Sequence, residues 1–125
     1  MPVVQIQALP LAARYRVPEI ITGLSQAIAR DCAIPLEHIS VTWATLAPGF
    51  YAEAGRIAET QPQGSHPVIV HLTAFELEDP ARIETLLRAT GAHLERALDL
   101  PGNVFILYGI ARTGRVYAGG EVVAG

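Results

Sequence analysis

The chain of 125 residues is the size of one domain, and a composition half apolar and 17% charged suits a globular protein with a full core. A net charge of −3 argues against the basic footprint of a general nucleic-acid or membrane-surface binder. The single cysteine, Cys32, excludes a disulfide framework and zinc-knuckle spacing, and suits a reducing cytoplasm. From Val3 to Leu9 the chain alternates, with Gln5 and Gln7 on one side and Val4, Ile6 and Ala8 on the other, which reads as a strand and not as a signal peptide. Pro18 suits the first turn of a helix, and Ile20, Ile21, Leu24, Ala27 and Ile28 make one apolar stripe at helical spacing. Ile34-Pro35 ends that helix, because the residue before proline is pushed away from α geometry. Ile39, Val41 and Trp43 alternate with Ser40, Thr42 and Ala44 as a second strand, and Pro48-Gly49 turns the chain.

The same programme restarts after the turn-rich stretch from Gln61 to Ser65. Val68 to Phe75 is a strand, Asp79 is an N-cap with Pro80 at N1, and Ile83, Leu86, Leu87, Leu94, Ala97 and Leu98 form a second helical stripe. Leu100-Pro101 ends the helix, Val104 to Ile110 is an almost wholly apolar strand, and Gly114 and Gly119-Gly120 bend the tail into a short hairpin. Sliding the sequence so that Val4 falls on Val70 also lays Ala8 on Ala74, Ile28 on Leu94 and Ile34-Pro35 on Leu100-Pro101. The chain therefore reads as an α+β fold of two tandem β-α-β units, about 2–57 and 67–123, sharing a four-stranded sheet with two helices on one face. An apolar final strand needs a cover for the other face, which an oligomer supplies. No stretch approaches the roughly 20 apolar residues of a membrane span.

Met1-Pro2 before an apolar strand, a helix closing on Ile34-Pro35, a strand leading into Ala47-Pro48-Gly49-Phe50-Tyr51, and a repeat of the whole unit resemble the tautomerase superfamily. That superfamily includes 4-oxalocrotonate tautomerase, macrophage migration inhibitory factor, malonate semialdehyde decarboxylase and the 3-chloroacrylic acid dehalogenases. The likeness is to its long members, in which two units are fused and three chains form the trimer. It implies a homotrimer without a cofactor, acting on a small-molecule carboxylate with Pro2 as the catalytic group. It places Tyr51 at an aromatic pocket wall, and Glu53 at the water-activating glutamate of the dehalogenases. Three departures accompany it: Ala12 and Ser40 stand where tautomerases carry arginines, and Glu76-Leu77-Glu78-Asp79 stands where fused decarboxylases and dehalogenases hold a carboxylate with two arginines.

The chemistry the resemblance implies is keto–enol tautomerisation. Initiator methionine is normally trimmed before proline, which leaves Pro2 a secondary amine; an ordinary α-amino group titrates near ~8, and an apolar pocket with nearby cations lowers that toward neutrality. A base poised there moves a proton α to a carbonyl. A retained Met1 makes the nitrogen an amide and abolishes the base, and Pro67, inside the chain, cannot serve at all, so one site per chain is expected. Candidates to grip the substrate carboxylate are Arg14 and Arg16 in the first loop and Arg112 and Arg115 in the last hairpin, since a guanidinium binds carboxylate bidentately. Arg30, Arg82, Arg88 and Arg96 read as solvated helix faces, and Cys32 as a small buried residue. His38, His66, His71 and His93 show no metal-ligand spacing. Two alternatives stand beside tautomerisation. One is a hydratase, dehalogenase or decarboxylase with Pro2 as acid and Glu53 activating water; the other is a non-catalytic ferredoxin-like ligand-binding module, which shares the β-α-β-β-α-β order.

Overall fold

The computed structural model describes residues 1–123. Strand β1 (Pro2–Ala8) buries Val4, Ile6 and Ala8 and turns Gln5 and Gln7 the other way, as its alternation requires. Helix α1 (Val17–Cys32) carries Pro18 in its first turn and buries Ile20, Leu24, Ala27 and Ile28. It stops one residue before Ile34-Pro35, at Ala33, whose φ of 53° is left-handed. A single 3-10 turn, Leu36–His38, then leads into β2 (Ser40–Thr45).

A hairpin of two short strands, β3 (Ala52–Glu53) and β4 (Arg56–Ile57), precedes β5 (Val68–Phe75). Asp79 caps α2 (Pro80–Leu98) by accepting from the Ala81 N–H at 3.2 Å, with Pro80 at the first position. Strand β6 (Val104–Ala111) is followed by a second hairpin, β7 (Tyr117–Ala118) and β8 (Glu121–Val122). Its turn is Gly119-Gly120, both at positive φ.

The sheet order is β2-β1-β5-β6. Each outer strand runs parallel to its inner neighbour, and β1 and β5 meet antiparallel in the middle, with Pro2 opposite Ala74 and Gln7 opposite Ile69. The two β-α-β units thus join along their first strands. Val4 and Ile6 of β1, Val70 and Leu72 of β5, Leu24 and Ile28 of α1, and Leu86 and Leu94 of α2 form the core between sheet and helices. The opposite face of the sheet carries no helix. Phe105 and Leu107 lie there, 51% and 46% exposed. Among the described residues no helix is long and apolar enough to cross a membrane.

Candidate active site

Because β1 is central and antiparallel to β5, its first residue lies at the end of the sheet where β5 and β6 finish, α1 stops and α2 starts. Pro2 has the parity of Val4, so its ring turns toward the helices and is fully buried. Beside it opens a cleft of about 240 Å³ lined by Met1, Pro2, Pro35, His38, Phe75, Glu76 and Arg82. Arg82 comes from the first turn of α2 and is the cleft's one arginine. It forms no ion pair among the described residues, so its guanidinium is available to an anionic ligand.

Glu76, at φ 54°, turns the chain out of β5. Its carboxylate accepts from the Thr113 N–H, which ties the second hairpin to this end of the sheet. That bond, with Arg112 nearby, lowers its pKa and keeps it ionised. Arg112 is paired with Glu78 at 2.9 Å, and the pairing raises its pKa. Arg115 sits on the same hairpin and lines neither this cleft nor its neighbours. A smaller pocket of about 160 Å³ adjoins the cleft and shares Leu77 and Arg82 with it. Cys32 is half-buried on its wall, where burial and Asp31 push the thiol's pKa up and Arg82 pulls it down.

The remaining sequence candidates lie at the other end of the same chain. The Tyr51 hydroxyl donates to the Pro67 carbonyl at 2.8 Å, just ahead of β5, whereas Pro2 faces Ala74 near the end of β5. Six residues of strand separate the two ends, roughly 20 Å. Glu53 accepts from the His66 N–H at 3.1 Å, and the His66 ring contacts the Ser65 hydroxyl at 2.9 Å and the Arg56 carbonyl at 2.7 Å. The Tyr51 ring meets that imidazole edge-on at 5.0 Å, and burial, then Glu53, raises the phenol's pKa. Arg14 folds onto Tyr15 and Arg16 reaches Glu19 at 3.4 Å, both after the far end of β1. One chain therefore brings Arg112 and Arg115 to the end that holds Pro2, and leaves Arg14, Arg16, Tyr51 and Glu53 at the opposite end. Arg82 and His38 are the cleft residues that sequence reasoning passed over. The only prior signal for Arg82 was its place in the first turn of a helix that follows β5 directly.

This architecture, two β-α-β units joined along an antiparallel central strand pair, is the fold of the tautomerase superfamily. Comparison of the sequence with family models and with curated proteins gives no match. Solved structures do match over nearly the whole chain. Pt0534, crystallised after inactivation by 2-oxo-3-pentynoate, superposes with a TM-score of 0.82 at 17% identity, covering 98% of this chain and 95% of that one. A fused 4-OT that forms an asymmetric trimer, F6, gives 0.82 at 16% identity, covering 96% and 94%. N1, of the cis-3-chloroacrylic acid dehalogenase family, gives 0.73 at 19% identity, covering 97% and 82%.

Proposed function

We propose that the chain, once Met1 is removed, is a cofactor-independent tautomerase of small enol carboxylic acids with Pro2 as its general base. The observation that carries this reading is the buried ring of Pro2 beside a cleft that contains a single unpaired arginine, Arg82. Removing Met1 turns the Pro2 nitrogen from an amide into a basic amine. The neutral amine takes the enol hydroxyl proton as the carbonyl forms, and the resulting ammonium returns a proton to the adjacent carbon. Arg82 holds the carboxylate and fixes which carbon faces the amine. The fold shared with fused 4-OT proteins supports the same chemistry.

Water activation by Glu53 is the weaker reading. In one chain its carboxylate is engaged by the His66 N–H, at the end of the sheet away from Pro2. We also read the protein as a cytoplasmic homotrimer: the helix-free sheet face exposes Phe105 and Leu107, and three fused 4-OT structures of this fold are trimers.

The test is the ultraviolet rate of phenylenolpyruvate ketonisation by protein shown by intact mass to lack Met1. Pro2→Ala should abolish the enzymatic rate. Arg82→Gln should raise KM about tenfold or more, since it removes a charge-assisted grip on the carboxylate. Turnover by protein that retains Met1, or undiminished turnover by Pro2→Ala, would refute the mechanism.

A further inference from the structure

Where α1 and α2 pack against each other, their solvent side carries a groove of about 310 Å³. Arg88, Ala92, His93 and Arg96 of α2 line it, with Asp31 at the end of α1 on the facing wall. None of these residues lines the Pro2 cleft. The helices cover the side of the sheet opposite Phe105 and Leu107, so self-association through that open face leaves the groove accessible.

Its charge runs against the −3 of the whole chain. Asp31 is the one acid on the wall, and Arg30 already holds that carboxylate at 2.9 Å. Arg88 reaches Glu84 at 3.5 Å, but the two side chains are 77% and 66% exposed, and such a pair is weak and readily exchanged. Arg96 forms no ion pair among the described residues. His93 sits deeper: Gly23 lets the helices close on its ring, which is bonded to the Ile20 backbone and so is fixed in place. Burial, then Arg96 and less strongly Arg30, discourage protonation of that ring, and Asp31 favours it.

We propose that this interhelical groove binds a small molecule through a diphosphate group, gripped by Arg88 and Arg96 at its two ends and by His93 between them. Arg88 and Arg96 stand eight residues apart on α2, roughly 12 Å along its axis, and Ala92 between them has no side chain long enough to block the way. Two joined phosphoryl groups present charge to both guanidinium groups at once, and each offers oxygens that match the guanidinium fork. A monocarboxylate reaches only one of them. An anion lying against the imidazole offsets the repulsion from Arg96 and lets the ring add a proton, which makes it a further charged donor. The groove's occupancy is independent of whether Pro2 is a base.

Calorimetric titration of the full chain with inorganic pyrophosphate, at ionic strength held constant with sodium chloride, should give a Kd below about 1 mM. Arg96→Gln should weaken binding by about tenfold or more. Ala92→Asp, at an exposed position where a new carboxylate repels the ligand, should do the same without disturbing the core. Arg82→Gln lies outside the groove and should change the affinity by less than about twofold; a loss there would move the anion to the Pro2 cleft and overturn the proposal. In proton NMR, pyrophosphate should raise the pH at which His93 titrates toward the ordinary value of about 6.5, and should leave His38 of the Pro2 cleft unmoved. No saturable binding, binding indifferent to both Arg96→Gln and Ala92→Asp, or equal affinity for succinate would each overturn the diphosphate site. None of these readouts needs phenylenolpyruvate turnover, so failure of the tautomerase reading and failure of this one are told apart.

Discussion

Glu53 and Arg82 show how differently two charged residues can be used. Glu53 sits in a two-residue strand, and its carboxylate accepts a backbone N–H from His66, whose own ring and carbonyl are tied to Ser65, Arg56 and Gln61. That network, with the Tyr51 hydroxyl on Pro67, pins the first hairpin to the start of β5. Glu53→Ala should therefore cost about 1–2 kcal/mol in urea unfolding, because a backbone donor loses a charged acceptor, while the ketonisation rate of the remaining folded protein stays close to wild type. Loss of turnover at unchanged stability would instead place Glu53 in the chemistry. Arg82 has the reverse character: it holds nothing else in place and faces the Pro2 cleft. Pro2 stood out in the sequence because it stands in front of a doubled β-α-β pattern, not by its position alone. Arg82 did not, because a helical arginine looks the same in sequence whether it faces water or a ligand; the structure places this exposed side chain on the wall of the cleft that Pro2 also lines.

Between the elements, the two helices meet at Gly23, where a Cβ would lie 3.2 Å from two atoms of the His93 ring. A mid-helix glycine costs about 1 kcal/mol relative to alanine, so the close contact is what makes it tolerable here. The ring is half-buried and bonded to the Ile20 backbone. Burial first, then the positive charge of Arg96, with a smaller contribution from Arg30, lowers the His93 pKa, while the Ile20 bond and Asp31 oppose the shift. A histidine with a depressed folded-state pKa takes up its proton more readily when unfolded. Its contribution to stability is therefore full above the unfolded value, about 6.5, and falls as pH drops from there through the folded pKa. The thermal midpoint should decline between about pH 7.5 and 5 by more in wild type than in His93→Gln, which removes the titration. An identical decline in both would assign the acid sensitivity elsewhere. The two helices and β1 were legible because burial imposes a period on their sequences, and β6 as an almost unbroken apolar run. The short hairpin β3–β4 was not: two residues per strand carry no period, and its turn places Ala54 at φ 52° before Gly55 at φ 76°, so half of the turn signal is hidden behind an ordinary alanine.

At the scale of the molecule, two tandem units give a sheet with one finished face. Helices α1 and α2 bury the sides of β1 and β5 that carry Val4, Ile6, Val70 and Leu72; the reverse side keeps Phe105 and Leu107 half-exposed next to polar Gln5 and His71. The internal repeat adds an asymmetry of ends. One hairpin stands beside Tyr51 and Glu53, the other beside Pro2, and each projects apolar residues, Phe50 and Ile57 from the first and Tyr117 and Val122 from the second. A chain that exposes apolar groups on a flat face and at both ends is shaped for contact with copies of itself, and a closed ring satisfies every copy equally. The proposed trimer should therefore sediment at three times the 13.4 kDa of the single chain. Leu107→Asp should shift it toward the monomer, because a carboxylate buried between sheets without a partner costs more than the leucine contributes. Arg88→Ala, on the exposed outer surface of α2, should leave the assembled mass unchanged. A monomer in the wild type would show that the open face of the sheet is tolerated in water, and a trimer insensitive to Leu107→Asp would move the interface to the hairpins.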